Sequence, residues 1–266
     1  MTPNLPTIIN HDLSSVRTLR QVSVRSGLFS ENWLQEVLFA HPHLLPIEAV
    51  DEGFGKLVPL AREFSVTAGS IDLLYATAEG QLCVVETKLW RNPEAHRTVL
   101  AQLLDYAKDL AGLDYADFRA KIEAIAHRNG HPPDLGRIMA GAIGAKRFDS
   151  IGFEEGVRRS LATGNFLLVI VGDRIRPGVA MLSEILGATP HLEFSLALVE
   201  LAFYRLDPQE EWPVLAVPSV VGRSREVTRS VVRIRYEKQR PEVEVAAADD
   251  DTQRTGRTNL DLFLKS

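Results

Sequence analysis

SIDLLYATAEGQLCVVETKLWRNPEAHRTVLAQLLDY, residues 70–106, is the stretch on which the fold turns. Its first part holds two runs rich in β-branched and apolar residues, 71–77 and 81–88. Ala78-Glu79-Gly80 separates them as a short turn, with glycine available for positive φ. A hairpin is the expected result. Asn92-Pro93-Glu94 then carries the marks of a helix start: Asn as cap, Pro at the first helical position, Glu in the first turn. That helix is expected to run to about Leu110.

Strand alternation puts Val84, Glu86 and Lys88 on one face of the second strand, and Cys83, Val85 and Thr87 on the other. An apolar face that ends in two charges marks the point where a core opens into a cleft. Asp72 lies on the partner strand, so the Asp72 and Glu86 carboxylates can approach each other. Two carboxylates alone repel; a divalent cation resolves the conflict, and Mg²⁺ favours one or two carboxylates plus waters and phosphate oxygens. The backbone carbonyl of Thr87 is the expected third ligand. Lys88, one strand repeat beyond Glu86, suits the orientation of an attacking water and the offset of transition-state charge. Gln102 and Tyr106 are one helical turn apart on one face. Arg91 and Arg97 sit near the start of that helix, where phosphate is favoured.

Outward from this centre, residues 31–40 read as a helix. Ser30 is a good cap, Glu31 suits the first turn, and Trp33, Leu34, Val37 and Leu38 recur at helical spacing. Residues 57–66 read as a strand despite Pro59. Helices are expected over 115–129, 153–163 and 177–186, with HPPDLG (131–136) as a loop. NFLLVIV, 165–171, has the continuous apolar pattern of a strand buried on both faces. Residues 193–205 read as a further strand, with a helix the alternative that period alone leaves open, and 214–221 with 230–236 as an accessory ribbon. The segment 241–257 is polar and acidic and is expected to be disordered. NLDLFLKS, at 259–266, is a small apolar patch suited to docking. The expected organisation is an N-terminal extension (1–26), an α/β domain with a mixed sheet (27–210), and accessory strands with an acidic tail (211–266).

With 266 residues and 45% hydrophobic content, the chain can bury a core. No apolar run approaches the roughly 20 residues that cross a bilayer, and the start lacks the pattern of a secretory signal. Cys83 is the one cysteine, so neither an internal disulfide nor a cysteine-rich metal site is expected. These readings give a cytoplasmic protein with no membrane partner. Net charge is −5, which by itself argues against a nucleic-acid partner. The distribution is uneven: seven bases against two acids lie between Arg223 and Arg240, and five acids without a base lie between Glu242 and Asp251.

Asp72, Glu86-Thr87-Lys88 and Gln102-Leu103-Leu104-Asp105-Tyr106 resemble the PD-(D/E)XK nuclease superfamily. The likeness is to its RecB-like branch with a QxxxY helix, and the stretch is similar to the C-terminal nuclease domain of NucS. The resemblance implies a restriction-endonuclease-like core of a helix, three strands, a helix and a fourth strand, which the order of elements over 30–171 follows. It also implies hydrolysis of DNA phosphodiesters with Mg²⁺ or Mn²⁺. A first-helix glutamate completes such sites, and Glu31 is the choice here, with Glu36 second. Ser70-Ile71 replaces the proline that precedes the aspartate in the family pattern. Other readings are a binding module that keeps the fold without catalysis, and an enzyme acting on RNA. A homodimer is kept open.

Overall fold

The computed structural model describes residues 5–22, 29–89, 95–173, 194–207, 209–223, 231–237 and 240–246. The chain divides into two units, Met1–Ser224 and Arg225–Ser266. In the first unit seven strands form one sheet: β3 (Arg20–Gln21), β4 (Val58–Val66), β5 (Gly69–Ala76), β6 (Leu82–Lys88), β7 (Phe166–Gly172), β8 (Ser195–Arg205) and β9 (Val214–Arg223). A separate ribbon, β1 (Thr7–Ile9) with β2 (Val16–Thr18), precedes them.

The sheet is mixed. The pairs β4–β5, β5–β6, β3–β8 and β8–β9 are antiparallel, whereas β6–β7 and β7–β8 are parallel. β7 is buried along its whole length, as expected of a central strand covered on both sides. Pro59 lies in β4, an edge strand, and the register shifts beside it. An edge tolerates the missing N–H.

Two hydrophobic cores cover the two faces. Alternate residues Leu73, Tyr75, Cys83, Val85, Leu167 and Val169 pack under α1 (Glu31–Ala40) and the short α2 (Ile47–Val50). Leu74, Ala76, Leu82, Val84, Leu168 and Ile170 pack under four helices on the opposite face. These are α3 (Ala95–Ala111), α4 (Tyr115–Arg128), α5 (Leu135–Ile143) and α6 (Ser150–Thr163). Cys83 is fully buried in the α1-side core, as the alternation predicts. This is an α/β sandwich with the restriction-endonuclease-like core.

The β5–β6 turn seats against α6 at van der Waals limits. A Cβ on Gly156 would lie 1.7 Å from the Glu79 carbonyl oxygen. One on Gly80, at φ 79°, would lie 2.4 Å from the Phe153 carbonyl oxygen. The Ser160 hydroxyl closes the contact by donating to the Gly80 carbonyl at 3.1 Å.

Several expectations change. The segment 131–136 is not all loop, because Asp134 caps α5 by accepting from the Arg137 N–H at 2.7 Å. The expected accessory ribbon does not form. β9 pairs instead with β8, from Val214 opposite Arg205 to Arg223 opposite Ala197. The sheet therefore continues beyond residue 210, and β8 also pairs with β3 from the expected N-terminal extension.

In the second unit, β10 (Val231–Glu237) pairs with β11 (Arg240–Ala246), so 241–246 is a strand, not a disordered start to the tail. Its register sets Arg233 opposite Glu244 and Arg235 opposite Glu242. Val243 and Val245 supply the period-2 pattern that the acidic composition obscured. The expected helix 177–186, the cap at Asn92, and NLDLFLKS lie outside the described residues.

Candidate active site

The site forms where β5 and β6 part. Their pairing ends at Leu73 opposite Val85. The Thr87 N–H beyond that point finds a side chain: Asp72 Oδ2 accepts from the Thr87 N–H and from its hydroxyl, each at 2.7 Å. Asp72 thus substitutes for the missing strand. Thr87 enters through these two donors, a role the sequence did not suggest. Burial pushes the Asp72 carboxyl above its ordinary range, while the Thr87 bonds and one from Gln35 oppose that rise.

Glu86 is 5% exposed, and its Oε2 is buried with no hydrogen-bond partner. Burial, and after it the nearby Asp72 charge, pushes its carboxyl up to about 8; Lys88 acts against this. A buried carboxylate without a partner is costly in the ionised form. The pocket is therefore short of positive charge.

Glu31 and Lys88 meet at the mouth of the cleft. The Lys88 ammonium lies 3.1 Å from Glu31 Oε1, which also accepts from the Leu89 N–H at 3.1 Å. The helix start explains the placement: Ser30 Oγ accepts from the Trp33 N–H at 3.0 Å and fixes the first turn of α1. Glu36 lies elsewhere, exposed and 3.4 Å from Arg62. Of the two candidate glutamates, Glu31 is the one that reaches Lys88.

α3 is clamped to the β4–β5 turn by Asp109, which accepts from the Ala68 N–H at 2.6 Å. One turn earlier Tyr106 packs on Gly69, where a Cβ would come within 3.1 Å of its hydroxyl. The Gln102 amide donates to that hydroxyl. Burial raises the Tyr106 pKa; the Gln102 bond opposes the rise, and Glu86 and Asp72 add to it. Tyr106 thus lies close to both acids, with Gln102 bonded beside it. Arg91 and the side chain of Arg97 lie outside the described part.

Two participants were not foreseen. Gln35 is 6% exposed and bonds Asp72. A polar residue four positions after Glu31, inside the apolar stripe of Leu34 and Leu38, was the available signal. Glu63 on β4 adds its charge to both Asp72 and Glu86; nothing in its sequence neighbourhood marks it.

The donor set suits a hydrated divalent cation. Two carboxylates converge, one of them with a bare buried oxygen. Among the described residues no group of three or more His, Cys, Asp or Glu is placed to hold a metal ion by itself.

The fold is of the restriction-endonuclease-like class. More particularly, residues 30–116 match the family model of the endonuclease NucS C-terminal domain. The match covers less than half of the chain but includes every candidate site residue above. No curated protein and no solved structure matches the chain. No helix among the described residues is long and apolar enough to cross a membrane.

Proposed function

We propose that this protein is a Mg²⁺- or Mn²⁺-dependent nuclease that hydrolyses DNA phosphodiesters. The observation that carries the reading is the buried, unpartnered oxygen of Glu86 beside Asp72, next to a lysine held at the rim. Asp72, Glu86 and the Thr87 carbonyl would hold the cation. A divalent cation in such a site supplies a lowered pKa for bound water and a polarised phosphate.

The remaining work falls to the chain's own side chains. Thr87 and Gln35 keep Asp72 aimed at the opening between the strands. Lys88 lends positive charge where negative charge develops and orients the attacking water. Glu31 holds the Lys88 ammonium in place by a second bond at 3.3 Å from its other oxygen. Gln102 and Tyr106 form the wall on which the substrate backbone rests. The resemblance to NucS favours DNA as the substrate over RNA.

The test is cleavage of circular, linear, single-stranded and branched DNA, and of RNA, with Mg²⁺, Mn²⁺ or EDTA. Cation-dependent DNA cleavage that disappears in Glu86→Gln supports the reading. Tight DNA binding without cleavage under every condition would replace it with a binding module. Faster cleavage of RNA would move the substrate.

A further inference from the structure

DNA is held largely through its phosphates, so a protein that cuts it needs cations beyond the cleft itself. The cleft is poor in them: Lys88 is bonded to Glu31, and Asp72 and Glu86 lie close by. The chain as a whole carries −5. Helix α4 supplies bases on one flank. Lys121 and Arg128 are exposed and seven positions apart, two turns along one side of the helix.

Both line a groove of about 600 Å³, with His127 beside them and Ser65 of β4 across from them. Lys121 is held in place there. Its ammonium donates to the Ser65 carbonyl at 3.2 Å and lies 5.9 Å from the centre of the Phe64 ring. That bond uses one of its three donors. Arg128 is in no ion pair among the described residues. Glu123 also lines the groove, but its carboxylate is engaged: it accepts from Arg119 at 2.7 Å and from the Leu135 N–H at 3.2 Å. The groove is thus left with net positive charge.

Its place in the fold gives that charge a use. Ser65 is the register partner of Ser70, and Asp72 follows two residues later on β5. Lys121 therefore lies within roughly 15 Å of Asp72, about four base-pair rises of a duplex.

We infer that this groove is a backbone-binding site, in which Lys121 and Arg128 contact DNA phosphates about four base pairs from the one that is cut. The inference rests on the reading that the cleft cuts DNA. Both residues lie beyond the matched residues 30–116, so the groove is independent of the family match.

Anisotropy of a labelled DNA duplex, titrated with the full chain from about 50 to about 200 mM salt, tests it. Every protein carries Glu86→Gln, so that cleavage does not interfere. On that background Lys121→Gln/Arg128→Gln should bind about tenfold more weakly at low salt, and its salt slope should fall by about two units. Lys121→Arg/Arg128→Lys, which keeps the charges, should restore both. Lys146→Gln/Arg147→Gln removes the same charge from the turn before α6 and should change the slope by less than about half a unit. An unchanged slope in the Lys121/Arg128 glutamine variant, or an equal loss in the Lys146/Arg147 variant, would overturn the groove and leave the cleavage reading intact. No duplex binding by the Glu86→Gln protein would overturn the groove, and with no cleavage by the parent it would overturn the DNA reading too.

Discussion

Glu86 has no hydrogen-bond partner for one oxygen, and this makes its ionisation expensive in the folded, cation-free protein. Its carboxyl is raised to about 8, with burial as the main cause and Asp72 next. Asp72 shifts in the same direction. Between the ordinary glutamate range and pH 8, the folded state therefore binds more protons than the unfolded state. Stability should fall as pH rises through that window and level off above it. Thermal melts in EDTA should show this fall, and Glu86→Gln should flatten it and melt higher than the parent at pH 8.5. The same fall in both proteins would assign the dependence to other groups. Lys88 gives a complementary test. Lys88→Ala should slow DNA cleavage by about 10²-fold or more, the scale of losing one transition-state stabiliser, while Mn²⁺ affinity is nearly kept. Parental turnover in that variant would remove Lys88 from the chemistry.

The elements matter here for how they aim these residues. Helix α1 delivers Glu31 from its first turn, and that turn depends on the Ser30 cap. Ser30→Ala should cost about 1 kcal/mol of stability and should also lower cleavage, because the Glu31–Lys88 pair loses its anchor. Urea melts and initial rates read the two effects separately; a stability loss with unchanged rate would show that Glu31 is not positioned by the cap. On the far side, α6 meets the β5–β6 turn through Gly156 and Gly80 with no space for a Cβ. Gly156→Val should destabilise by about 1–3 kcal/mol through overpacking. Parental stability would mean that α6 can shift away from the turn without loss.

For the whole molecule, the division at Ser224 predicts that residues 1–224 fold alone with nearly the parental melting temperature and bind Mn²⁺ as the full chain does. The uneven charge of the last segment reads differently once its register is known. Arg233 and Arg235 are the register partners of Glu244 and Glu242, which sets two of the seven bases at positions paired with acids. The double variant Arg233→Gln/Arg235→Gln should then leave the salt dependence of DNA binding unchanged. A slope reduced by about two units, the value for two phosphate contacts, would show that these arginines touch DNA.

Local chemistry was enough to read the hairpin at 70–88, the capped helix at Glu31, the buried strand at 166–172 and the burial of Cys83. Alternation, turn residues and caps act over a few positions, and here they agreed with the global fold. Short-range signals marked Asp72, Glu86, Lys88, Gln102 and Tyr106, and the resemblance to a nuclease family added Glu31 to the candidate site. Other features were set by partners distant in sequence. Val214–Arg223 suits any strand neighbour, and only the open edge of β8 decides that it joins the main sheet. The strand at Arg240–Ala246 depends on its pairing with β10, which composition conceals. Asp72 acts as a cap for Thr87 because the β5–β6 ladder stops one pair short. Glu63 takes positive φ because two cores on opposite faces require β4 to turn over at that point. Such a demand comes from packing across the sheet, and a single strand's sequence carries no trace of it.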